Sequence, residues 1–545
     1  VFFEIYSADE AHRQRIGQVV NLRWSDIERV QTYVKLVTQD VNFVEQVRVS
    51  KQKGNIHPDR LDGWESVGPL ESLAGPRPVD DVIVKLDGPV EVEDTGDSRP
   101  SIYITREPVQ ITGRYYAIVA IARRLERDFF LVRHYNRRSQ KFDGPEETVY
   151  IPSAIADRNG VYPSSNRDLE KSPLNAKGWY VYGAKNREGY FVVQAIAPRA
   201  LLSVVPQKVV SGEKAAIDYI NFKYWQNIKE EKGKVKTVLL QPQAATEWKE
   251  GDRALLMHIY GGIGGEKAEF SPMGLFFGHF AYGVAEVVRE RLSGELRFEI
   301  EYQQIYTHNT DGIIAGRNSW GKFTGDRQFG WLGSRPIADI VIKFAPLTRK
   351  YNFDGREISP LDEILYELDI MAARYRIGDG TGTTFVTPIN SCVQDSNQAM
   401  YWALQRAIAI TVLNRLITKW LRQNAEEEQT RDFLLLTSWV KSLEKELAPI
   451  GIVRSDWEYD VPTLGSFAVE APLRTLWKAA VSWPSLFPRL AADRIAMIFL
   501  QLGAEALVMR ATQVGGFDEA IEPIAPTDFG WRVPAVEKLS LPNIN

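Results

Sequence analysis

From Ile16 to about Pro206 the chain is built of short β-type runs separated by Gly, Pro, Asn and Asp. The clearest are 115–121, 129–132, 179–182 and 190–196, and runs of that length and punctuation predict strands. A polar stretch at 163–177 reads as a surface loop or linker, and 215–228 as a short helical connector. A charged break at 229–234 precedes a second β-rich block, from Val238 to about Pro388. Beyond Cys392 the period changes. Apolar residues recur at three- and four-residue spacing through Met400, Leu404, Ile408, Val412 and Leu416, and again over 494–509, which predicts a helical layer. The expected class is therefore α+β and multi-domain, with small β-barrel or β-sandwich units in the N-terminal half. The units expected are 1–165, β-rich; 166–237, a small β unit with the connector; 238–404, the second β block and the start of its helix; and 405–545, helical.

Length agrees with that division, since 545 residues exceed what one hydrophobic core organises. The formal charge of −4 gives no basic field to hold a polyanion, so nucleic acid is not an expected partner. A single cysteine, Cys392, excludes a disulfide framework and CxxC zinc sites and favours a reducing compartment; localisation and oligomeric state otherwise stay open. The most apolar stretches, 407–413 and 495–504, are too short for a membrane span, although peripheral membrane contact is left open. No cofactor and no metal site is expected, because His12, His57, His134 and His258 lack ligand spacing.

One internal echo relates 75–86 to 333–344, with glycine, arginine, proline, aspartate and lysine in register. It is followed by Phe142-Asp-Gly and Phe353-Asp-Gly at different distances. A diverged repeat and a twice-used loop-to-strand transition explain it equally well.

The candidate chemistry centres on Asn390-Ser391-Cys392-Val393-Gln394. Ser391 as N-cap with Gln394 three residues on fits a capping box and puts Cys392 in the first helical turn. Unpaired N–H groups and the positive end of the helix dipole favour a thiolate there and suit a developing oxyanion. The plainer alternative is a buried cysteine acting as apolar filler. A base is offered by His279, which opens a strand that returns as 295–308. A two-residue turn at Ser293-Gly294 sets His279 opposite His308, whereas a four-residue loop at 291–294 sets Tyr306 there. In either register His279, Gln304, Tyr306 and His308 share one face. Nucleophile, base and orienter are thus all available.

In this order of parts, a Gly278-His279 strand, a second polar strand and a cysteine at a helix start, the chain resembles the permuted branch of the papain-like NlpC/P60 superfamily, which includes LRAT-like acyltransferases. The resemblance covers roughly 257–404. It implies a papain-like antiparallel sheet with a nucleophile helix, Cys392 as nucleophile, His279 as base and His308 as orienter, with Tyr306 or Gln304 as substitutes. The LRAT-like Asn-Cys-Glu-His-Phe motif is absent, so lipid acyl transfer is not implied. A fainter resemblance, to cyanobacterial and chloroplast proteins labelled CAAX-type proteases, rests on Glu426-Glu427 and Arg431. It falls in a hydrophilic run with no histidine after His308, as a solvated helix end would.

The leading expectation is a thiol hydrolase, a peptidase or amidase acting on a peptide or amide substrate, with the N-terminal β units recognising substrate. The competing one is an inactive papain-like scaffold that docks protein partners through its β units and helical layer. The two differ on whether His279 and Cys392 meet.

Overall fold

The structure is a computed structural model, and it describes residues 1–42, 64–73, 82–94, 99–156, 160–162, 164–241, 247–271, 274–305, 315–377, 391–446, 487–515 and 518–528. Its class is mixed α and β with several sheets, and among the described residues no helix is long and apolar enough to cross a membrane.

A ten-stranded sheet organises the molecule. In spatial order its strands are Lys208–Val210, Lys234–Leu240, Glu505–Thr512, Pro336–Lys343, Arg253–Tyr260, His279–Arg289, Leu296–Gln304, Gly316–Ser319, Val109–Gln110 and Val84–Lys85. Pairing is antiparallel from Lys234–Leu240 through to Gly316–Ser319, and parallel where Lys208–Val210 and Val109–Gln110 join. The central strands are apolar on both sides because both faces are covered, which hides the two-residue period a half-exposed strand would show. Along Arg253–Tyr260, for example, Leu255, Met257 and Ile259 enter one core while Ala254, Leu256 and Tyr260 enter the other.

On one face lie the helices Pro360–Ile377, Cys392–Leu413, Glu428–Glu446 and Pro488–Gln501. Opposite them sits a closed five-stranded barrel of Arg114–Arg124, Phe129–His134, Glu146–Tyr150, Phe191–Pro198 and Trp179–Lys185. Its Ile118, Phe130 and Trp179 share one core with Phe298, Ile300 and Val341 of the sheet. Each such side chain, fully buried, favours folding by about 1.5–3 kcal/mol, so barrel and sheet are held as one packed unit. A separate sheet, Phe2–Glu4, Val19–Trp24, Ser101–Ile104 and Glu91–Glu93, carries its own small core at the N-terminus. It is fastened by a buried cluster in which Tyr33 and Arg376 both bond the Glu107 carboxylate and Arg376 also reaches Ser72.

Several expected boundaries fall elsewhere. The division at 165/166 lies inside the barrel, whose strands come from both sides of it. The second β block is not a self-contained sheet over 238–404, since strands as distant as Val84–Lys85 and Glu505–Thr512 belong to it. The C-terminal region is not wholly helical either. Its helix stops at Gln501, Gly503 turns the chain at φ +86°, and Glu505–Thr512 enters the middle of the sheet with all eight residues buried. The apolar run over 494–509 therefore joins a helix to a doubly covered strand, and periodicity does not separate the two.

Of the internal echo, Pro336–Lys343 is a central strand, whereas its counterpart is described only from residue 82 and supplies the edge strand Val84–Lys85. Phe353-Asp-Gly turns a two-stranded hairpin, while Phe142-Asp-Gly leads into a barrel strand.

Candidate functional site

Ser391 caps the Cys392–Leu413 helix, its Oγ accepting from the Gln394 backbone N–H at 3.2 Å. The return half of a capping box is not made, for the Gln394 Oε1 is buried without a hydrogen-bond partner. The backbone N–H groups of Phe280, Val393 and Cys392 itself bear on the thiol electrostatically. Each favours a thiolate, yet burial outweighs them and pushes the thiol up to about 11. In the first turns of this helix Asp395 accepts from the Tyr375 hydroxyl, and Asn397 Oδ1 accepts from the Tyr282 hydroxyl at 2.6 Å. Asp395 and Tyr375 are within electrostatic reach of the thiol.

His279 begins the neighbouring strand and looks the other way. Phe280, Tyr282 and Val284 enter the helix-side core that contains Cys392, so the alternate residues, His279 among them, belong to the barrel side. Its ring lies 5.3 Å from Tyr260 and 5.8 Å from Phe323, both members of the barrel-side core. The His279 Nε2 bonds Gln304 Oε1 at 2.7 Å. Burial holds the imidazole down at about 3, against the opposing help of that bond, so it is neutral near pH 7.

The strand pairing takes the second of the two registers expected, with Gly283 opposite Tyr302 and Arg289 opposite Leu296. That alignment carries Gln304 to His279 and would set Tyr306 opposite it, but Tyr306, His308 and Asn390 lie outside the described residues. Trp320 and Trp331 are core residues on the barrel side. Ser391 and Cys392 are brought together, as are His279 and Gln304. The two pairs are separated by the sheet itself, and this corrects the expected pairing of His279 with Cys392. The cause is parity: the cysteine's helix packs against the even-numbered side chains of a strand whose odd-numbered positions carry the histidine.

The same barrel-side face holds a polar network that the sequence reading passed over. His258 Nδ1 bonds Asp339 Oδ1 at 2.7 Å, and Asp339 Oδ2 accepts from Tyr302 at 2.9 Å and from Trp320 Nε1 at 3.2 Å. All of these side chains are buried. A lone aspartate inside the apolar strand Pro336–Lys343 was the available signal, because a buried carboxylate needs partners. Elsewhere His12 pairs with Asp9 and His134 with Glu147 near the surface, while His57 is not described. Glu426 and Arg431, of the faint protease signature, pair with each other on the exposed approach to the Glu428–Glu446 helix.

The class defined by fold and site is thus a large mixed sheet sandwiched between a closed β-barrel and a helical layer, with a buried thiol on one face and a buried histidine network on the other. Comparison of the chain with protein-family models, with curated proteins and with solved structures finds no match.

Proposed function

We propose that this chain is a binding scaffold that docks partners through its β units and helical layer, and that Cys392 serves its packing. The observation that carries this reading is the separation of thiol from imidazole by the sheet, each with its proton affinity moved away from a thiolate–imidazolium pair. An enzyme of the papain type needs a lowered thiol and a base that accepts its proton, and burial moves both groups in the other direction.

A second reading, a thiol hydrolase of the peptidase or amidase kind, is favoured by one feature: Cys392 stands in the first turn of a helix capped by Ser391, where unpaired N–H groups would stabilise an oxyanion. Alkylation separates the two readings. For a scaffold, iodoacetamide reacts with Cys392 in the folded chain more slowly than with an ordinary thiol, and the rate climbs only toward the alkaline range. Rapid labelling below neutral pH, together with turnover of amide or ester substrates that is abolished in Cys392→Ala, would establish the hydrolase instead.

A further inference from the structure

Among the described residues, the apolar side chains left most open in the helical layer gather where two helices meet. The Cys392–Leu413 helix ends, Asn414 caps the next one through Leu416 and Ile417 N–H, and Arg415–Gln423 sets off in a new direction. Across this corner Ile410 is 54% exposed, Val412 58%, Leu413 81% and Leu416 62%. An exposure of that size on Leu413 marks a protruding tip rather than a groove, since a groove would shelter it. Thr411, Ile417 and Leu421 of the same elements are buried, so the corner itself is anchored to the fold.

Charge gives the tip its partner. From Ser396 to Ala425 the chain contains no Asp or Glu, while Arg406, Arg415, Lys419 and Arg422 are all basic. Arg406 is committed to Glu367, and Arg422 is partnered as well. Arg415 and Lys419 stand one turn apart on the exposed side of the short helix, with Leu416 at the margin of the same arc. Two cations beside four protruding aliphatic side chains are the pattern of a segment that lies in the interfacial plane of a bilayer, its apolar groups among the acyl chains and its cations at the headgroups.

We propose that the 409–422 corner is a docking tip for a membrane surface carrying anionic lipid. It inserts Ile410, Val412, Leu413 and Leu416 and holds the headgroups with Arg415 and Lys419. This goes beyond the scaffold reading and does not depend on it, because no residue of the Cys392 or His279 surroundings takes part.

Sedimentation of the full chain with phosphatidylcholine vesicles, with and without phosphatidylglycerol, tests it. Binding is expected to the anionic vesicles, to weaken with added salt, and to fall about a hundredfold or more in the Leu413→Asp/Leu416→Asp double variant. Arg415→Glu/Lys419→Glu is expected to remove the preference for anionic lipid. All four positions are exposed, so an unchanged circular dichroism spectrum and melting midpoint will certify that the variants are folded. Two outcomes overturn the proposal. One is equal binding by wild type and variants, or none by either. The other is a dimer of the wild type that Leu413→Asp/Leu416→Asp dissociates without any vesicle binding, which would make the tip a contact between copies of the chain.

Discussion

At the scale of single residues, the buried Asp339 shows how strongly a polar group is held once the sheet has closed over it. One carboxylate receives the His258 ring, the Tyr302 hydroxyl and the Trp320 indole, none of which has access to water. Removing the acceptor orphans the His258 and Trp320 donors at about 1–3 kcal/mol each and leaves Tyr302 only its longer contact with Thr324. Asp339→Ala is therefore expected to lower the midpoint of chemical unfolding severely, and Asp339→Asn, which keeps one carbonyl acceptor, by less. The ordering of the two variants is the check. Equal and small losses would mean that the network contributes little.

Elements show where sequence and structure diverge. Gly283 lies opposite Tyr302 in the His279–Arg289 strand, and a Cβ built there would stand 2.2 Å from the Glu301 carbonyl oxygen. Neither backbone can yield without opening the ladder, so Gly283→Ala is expected to cost more than the roughly 1 kcal/mol of an ordinary strand substitution, and about 3 kcal/mol or more if the strands must separate. Thermal unfolding of the variant measures this. The small-facing-large arrangement of Gly283 with Tyr302 was legible in the sequence, as were the hairpin, the Ser391 cap and the helix after Cys392. Local signals carry all of these: turn residues, cap chemistry and the change from a period of two to one of 3.6. What was not legible was which face of the hairpin the Cys392 helix would choose. Both faces of that strand are apolar, Phe280, Tyr282 and Val284 on one and Ala281, Ala285 and Val287 on the other, so hydrophobicity does not distinguish them. Strand Glu505–Thr512 escaped for the same reason, because burial on both sides erases the alternation that marks a strand at a surface.

Over the whole molecule, titratable groups buried between the layers set how stability answers to pH, and they pull in opposite directions. His279, on the barrel side, is held at about 3 by burial. The unfolded chain takes up that proton below about 6.5, so its contribution is full above that pH and is lost as pH falls toward 3. Asp493 joins the Pro488–Gln501 helix to Tyr224, and burial raises its carboxyl to about 7. Asp369, in the Pro360–Ile377 helix, is likewise raised by burial against the pull of Arg317. A carboxyl so raised keeps its proton in the fold while the unfolded chain releases it. Its contribution is full below about pH 4 and is lost as pH climbs through the folded value. Between about pH 4 and 6.5 each group acts with a slope of up to about 1.4 kcal/mol per pH unit, one upward and two downward, so the three together make stability decline as pH rises. His279→Gln keeps a donor for Gln304 but no longer titrates, and it should make that decline steeper by one such slope. Asp493→Asn, which retains an acceptor for Tyr224, should make it shallower by the same amount. Chemical unfolding midpoints across this range, with wild type and both variants in one buffer series, decide the matter: parallel curves for all three would show that these buried groups do not carry the pH response of the fold.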